Sequence, residues 1–148
     1  MKRKIYNDIL KWKNESNGST ALLIEGARRV GKSYIVEEFA KENYKSYILI
    51  DFSKAPEEVK SLFDNYLDNL NYLFTYLSQY YGVKLYERET LFIFDEIQFC
   101  PRARGGIKHL VADGRYDYIE TGSLISIREN VKNIVIPSEE RKRYINSI

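Results

Sequence analysis

From residue 26 to residue 33 the chain reads Gly26-Ala27-Arg28-Arg29-Val30-Gly31-Lys32-Ser33, and no other stretch constrains the fold as tightly. The spacing is glycine, four free positions, then glycine, lysine and a hydroxyl residue: the pattern of a nucleotide-phosphate loop. Two glycines let the backbone turn sharply and gather several N–H groups around an anion. A helix starting at the same point adds the positive end of its dipole. The lysine supplies a point charge for the outer phosphates, and the serine hydroxyl can ligate Mg²⁺. Such a loop needs a buried strand before it and a helix after it. Ala21-Leu22-Leu23-Ile24-Glu25 is the short apolar run expected of the strand, and Ile35, Val36, Phe39 and Ala40 fall on one face of the expected helix. Gly26, Ala27, Arg28, Arg29, Val30, Gly31, Lys32, Ser33 and Tyr34 are therefore the candidate nucleotide-binding residues.

The rest of the chain alternates strand and helix signals. Residues 3–15 read as an amphipathic helix with Ile5, Ile9 and Trp12 aligned, ended by the polar stretch Asn14 to Gly18. Tyr47 to Phe52 is a second strand, apolar enough for a sheet covered on both faces. Pro56 opens a long helical region that keeps its period to Gly82, with Asn65, Asn69 and Asn71 as points where it can divide in two. Leu91 to Glu96 is a third strand. A short helix over 104–113 follows, weakened by Gly105 and Gly106, with Gly114 as its cap. Tyr118 to Thr121 is a fourth strand, and Val131 to Ile136 a fifth or the approach to it, stopped by Pro137. This alternation predicts an α/β fold with a parallel sheet, a three-layer sandwich in one domain. Its parts are an N-terminal helix over 3–15, a nucleotide-binding core over 20–137 and a short tail over 138–148.

A second functional element closes the third strand, where four apolar residues lead into Asp95-Glu96. An aspartate at the carboxyl end of a buried strand can hold the Mg²⁺ shell facing a phosphate loop. A glutamate directly after it can orient and deprotonate an attacking water. The fourth strand ends in Thr121-Gly122-Ser123, where either hydroxyl could touch the outer phosphate or the water. A whole strand and a helical region separate the phosphate loop from Asp95 in sequence. That order implies a strand inserted between them in the sheet.

Taken together, the stretches 25–33, Phe94-Asp95-Glu96-Ile97-Gln98, Ile119-Glu120-Thr121-Gly122-Ser123 and Ile136-Pro137-Ser138-Glu139-Glu140 resemble the prokaryotic AAA-like ATPases of the P-loop superfamily. The resemblance implies that Lys32 contacts phosphate, Ser33 and Asp95 serve the metal, Glu96 is the catalytic base and Thr121 or Ser123 the sensor. ATP and Mg²⁺ are the cofactors it implies. In that family the ATPase domain continues into a last core strand, a lid and a C-terminal domain, so the chain is expected to be an incomplete domain with residues beyond about 138 poorly packed. Gly105-Gly106 departs from the better helix formers the family keeps there.

Composition serves mainly to exclude. A net charge of +2 over 148 residues is too small to indicate a nucleic-acid or membrane partner. The single Cys100 forbids an internal disulfide and suits a reducing cytoplasm, with Cys100 expected as a small buried residue near the site. No apolar run reaches the ~20 residues that span a bilayer. The 13 Tyr and seven Phe are expected to fill the core and part of the surface. The lone His109 is expected to be solvated or packed rather than catalytic, and the arginines Arg102, Arg104, Arg115 and Arg128 are expected on the solvated surface, as are Arg141-Lys142-Arg143. A GTPase is disfavoured because no N-K-x-D guanine motif occurs, and a small-molecule kinase because no arginine-rich lid is visible. Two functions remain: a Mg²⁺-dependent ATPase, and a nucleotide-gated interaction module that turns over slowly or never. The client macromolecule and the oligomeric state stay open.

Overall fold

The computed structural model describes residues 2–25, 32–123 and 140–144. Five parallel strands form one sheet: β1 (Ala21–Glu25), β2 (Ser46–Asp51), β3 (Thr90–Asp95), β4 (Asp117–Gly122) and β5 (Glu140–Tyr144), in the order β2-β3-β4-β1-β5. The inserted strand is β4, which lies between the phosphate-loop strand β1 and the acidic strand β3. Every residue of β1, β3 and β4 is buried, as expected of parallel strands covered on both faces.

Side chains alternate between those faces, and each face has its own core. On one side α1 (Lys2–Ser16) and α2 (Lys32–Asn43) pack Ile9, Trp12, Ile35, Val36 and Phe39 against Leu22, Ile24, Leu91, Ile93 and Ile119. The ring of Tyr6 meets Phe39 edge-on at 5.1 Å, and its hydroxyl is hydrogen-bonded to Glu42, which sets α1 across α2. On the other side lie α3 (Glu57–Lys60), α4 (Leu62–Asn65), α5 (Leu70–Tyr81) and α6 (Pro101–Asp113). Their core is aromatic: Phe52, Phe63 and Phe94 form a triangle of edge-on contacts at 5.5–5.7 Å, and Phe74 and Tyr116 join Phe92 beside it. The aromatic content thus fills the core on this face, while Tyr72 and Tyr80 stay exposed. The result is the expected three-layer α/β sandwich.

Four expectations need correction. The long helical region divides into three pieces, not two: the Asn69 side chain caps α5 by accepting a hydrogen bond from the Tyr72 amide at 3.3 Å, and a further break at Ser61 separates α3 from α4. Helix α6 begins three residues earlier than the composition suggested, with Pro101 in its first turn, where proline needs no amide partner. Its Gly106 is a packing contact: a Cβ there would come within 2.8 Å of a Leu67 terminal methyl, which would have to shift. Residues 140–144 are a strand rather than a loose tail. They pair with β1 from Ala21↔Glu140 to Glu25↔Tyr144, satisfying backbone groups that an edge strand would leave open. The strand expected over Val131 to Ile136 lies outside the described residues.

Candidate nucleotide site

The candidate site lies at the carboxyl ends of β1, β3 and β4. Strand β1 ends at Glu25 and α2 starts at Lys32, with residues 26–31 between them in sequence. Gly26, Ala27, Arg28, Arg29, Val30 and Gly31 lie outside the described residues, and Lys32 is described by its backbone at the start of α2. In the first turn of that helix, Ser33 donates a hydrogen bond from Oγ to Asp95 Oδ1 at 2.8 Å. Tyr34 beside it is 60% exposed.

Asp95 Oδ1 receives a second hydroxyl. Thr121 Oγ1, on the neighbouring strand β4, donates to the same oxygen and accepts the Glu96 amide at 3.2 Å. The three strand and helix ends named by sequence are thus joined in one network: Ser33 to Asp95, Asp95 to Thr121, Thr121 to the Glu96 backbone. Of the two hydroxyls left open by the sequence, Thr121 is the one in this network, while Ser123 sits half-buried just past the strand end. Asp95 and Glu96 are both buried, so their contacts are formed in a low-dielectric setting where hydrogen bonds are stronger.

Glu96 is not the last residue of the strand, as expected, but the first after it. Its backbone is left-handed, with φ 53° and ψ 52°, which turns the chain from β3 into a 3-10 turn over Ile97–Phe99 and on into α6. A non-glycine residue in this region is uncommon and gathers at functional sites. Gln98 donates from Nε2 to Glu96 Oε1 at 2.8 Å and fixes the carboxylate. Sequence reasoning assigned Gln98 no role, although the two-residue spacing from Glu96 across a turn was a usable signal.

The arginine expectations hold unevenly. Arg102 is exposed and pairs with Asp64, and His109 is exposed. Arg115 is half-buried, bound to Asp113 and lying over the Phe74 ring. Arg104 is not solvated: it is buried in α6 with a guanidinium nitrogen 3.6 Å from the buried Glu120 carboxylate of β4. An acid in the middle of a buried strand was the signal for such a partner. Cys100 is buried in the aromatic core, and burial pushes its thiol up.

The donor set suits Mg²⁺ held with phosphates. That ion takes one or two protein oxygens and completes its octahedron with water and substrate. A serine hydroxyl and an aspartate oxygen brought within 2.8 Å from two elements supply that share. Among the described residues no group of three or more His, Cys, Asp or Glu forms a closed metal cage.

A parallel sandwich that sets a phosphate-loop strand, a hydroxyl-bearing strand and an acidic strand side by side defines the ATPase-type class of P-loop domain. Comparison with known families agrees. The family model of the AAA domain matches residues 18–136, and the chain belongs to that family. Membership implies nucleotide binding. No curated protein matches the chain. A solved structure of PCH-2 from C. elegans is similar at 13% identity and a TM-score of 0.47, covering 96% of this chain and 41% of its own. This chain therefore spans less than half the length of that one. No helix among the described residues is long and apolar enough to cross a membrane.

Proposed function

We propose that the chain binds Mg²⁺-ATP at the carboxyl edge of β1, β3 and β4 and hydrolyses it. The observation that carries this reading is the convergence of the Ser33 and Thr121 hydroxyls on Asp95, with Thr121 also accepting the Glu96 amide. In this reading the phosphate loop Gly26 to Ser33 holds the phosphates, with Lys32 on the outermost. Ser33 and Asp95 hold Mg²⁺, which neutralises charge on the phosphate oxygens when bound. Glu96 takes a proton from the attacking water on its carboxylate, and Gln98 keeps that carboxylate oriented. Thr121 positions Asp95 and the Glu96 backbone together, so a change at the phosphate is felt by both acids.

The second reading is a nucleotide-gated module with little turnover. It is favoured by the burial of Glu96 and by the Gln98 amide already occupying one of its carboxylate oxygens. A turnover assay with Mg²⁺-ATP separates the two.

Binding itself is tested by thermal unfolding. At a nucleotide concentration ~100 times the dissociation constant, binding adds about 2.7 kcal/mol of stability. For a chain of this size that raises the midpoint by roughly 5–10 °C. Lys32→Ala should remove most of the shift. An equal shift in the parent and the variant would overturn the assignment.

A further inference from the structure

The face of the sheet opposite α2 carries a buried charge pair that the chemistry above does not use. Tyr118 and Leu23 belong to the aromatic core on that face. By strand alternation Glu120, two residues beyond Tyr118, and Glu25, two beyond Leu23, share it. Glu120 is fully buried, Glu25 nearly so, and Arg104 is 2% exposed. The guanidinium of Arg104 reaches to 3.6 Å from Glu120 Oε1.

A buried ion pair is a poor device for stability alone. Desolvation of both ions offsets most of the attraction, and well-packed apolar side chains do as well or better. An ion pair does give a definite position, because the charges attract each other and no neighbouring methyl group. The places it joins are informative. Glu120 immediately precedes Thr121, whose hydroxyl holds Asp95 and the Glu96 amide. Arg104 sits on α6, the helix reached from Glu96 through the turn Ile97–Phe99. Glu120 and Arg104 thus tie the two chain segments that leave the site, from behind it.

We propose that Arg104 and Glu120 are positioning residues: their charge link sets the end of β4 against the β3-to-α6 turn and so holds Thr121 on Asp95 and Glu96. The inference rests on the proposed ATP site for its functional meaning, but its structural content can be read without nucleotide. The Glu96 amide, bound to Thr121 Oγ1, is the reporter.

The test uses the full chain, isotope-labelled, with amide exchange measured by NMR. Arg104→Met combined with Glu120→Gln removes both charges without stranding either. The expected result is global stability near that of the parent, while the Glu96 amide exchanges at least about tenfold faster than in the parent and the Ile93 amide at mid-strand does not change. Arg104→Lys keeps the charge and should keep the Glu96 protection. Should the double variant fail to fold, Glu120→Asp withdraws the carboxylate with the charge balance intact, and the same selective loss at Glu96 is expected. Unchanged Glu96 protection in the variant that folds overturns the proposal. So does a lysine variant as fast as the double one, since charge would then not be the link. The midpoint shift with Mg²⁺-ATP is measured alongside. No shift in the parent chain would overturn the ATP reading, and the amide rates would still decide the positioning role.

Discussion

Glu96 has a strained backbone, a buried carboxylate and two neighbours that fix it, Thr121 at its amide and Gln98 at its side chain. Left-handed backbone costs roughly 1–2 kcal/mol at a residue with a Cβ, so the surrounding bonds must hold it there. If Glu96 is the base, Glu96→Gln should leave nucleotide binding intact and lower turnover by about 10²–10⁴-fold. Asp95→Asn should instead weaken Mg²⁺-dependent binding, because a neutral amide replaces the anionic oxygen that two hydroxyls now address. Equal effects of the two substitutions on binding, read by calorimetry with and without Mg²⁺, would refute that division of labour. Much of this site was legible in the sequence. Ser33, Asp95, Glu96 and Thr121, which the structure joins in one network, each follow from a local rule, a loop spacing or a strand end. Gln98 and the Arg104–Glu120 pair were not read, because their meaning depends on which side chains face each other, through a turn in one case and between a helix and a strand in the other.

Among the elements, the three-piece division of the helical region shows how one cap redirects a chain. The periodic apolar stripe from Val59 to Tyr80 would suit one helix, but residues 66–69 turn between α4 and α5. The Asn69 side chain then supplies the acceptor that the first turn of α5 needs, and Gly82 ends that helix at φ 66°. Asn69→Ala should cost ~1 kcal/mol and lower the unfolding midpoint by a few degrees, whereas Asn69→Ser or Asn69→Asp should cost much less. Thermal unfolding of the three variants checks this. The types of β1 to β4 and of the helices between them were read from period and apolar runs, and boundaries shifted where a cap or proline acted. The charged strand β5 was missed because it has no apolar run. Gly106 looked like a weak point of α6 because sequence shows the cost of a helical glycine and not the Leu67 methyls that lie against it.

For the molecule as a whole, the tyrosines make alkaline stability a measurable signature. Burial pushes Tyr81 up to about 12 and raises Tyr44, Tyr116 and Tyr118 as well, with the Asp117 carboxylate adding to the effect at Tyr44. The hydrogen bond to Glu58 raises Tyr76 to about 12. A phenol held protonated in the fold contributes stability that is fully present below its unfolded pKa, near 10. That contribution is lost as the pH climbs through the folded value. Stability should therefore be flat with respect to these groups up to about pH 10 and fall between about pH 10 and 12. Phenolate absorbance should rise in two stages, exposed tyrosines first and the buried group only with unfolding. A single smooth titration of all tyrosines in the folded chain would contradict this.

The strand order also bears on how the chain acquires its shape. Leu22 of β1 lies between Ile119 and Arg141, so both of its neighbours come from the far end of the sequence. During synthesis the phosphate-loop strand emerges early and waits for partners, whereas β2 and β3 pair with only the helical region between them. Late, non-local pairing of this kind is slow, and an apolar strand kept waiting is exposed to the wrong neighbours. The edge of the sheet that carries the candidate site is then expected to be among its last parts to form, once β4 has paired with β1.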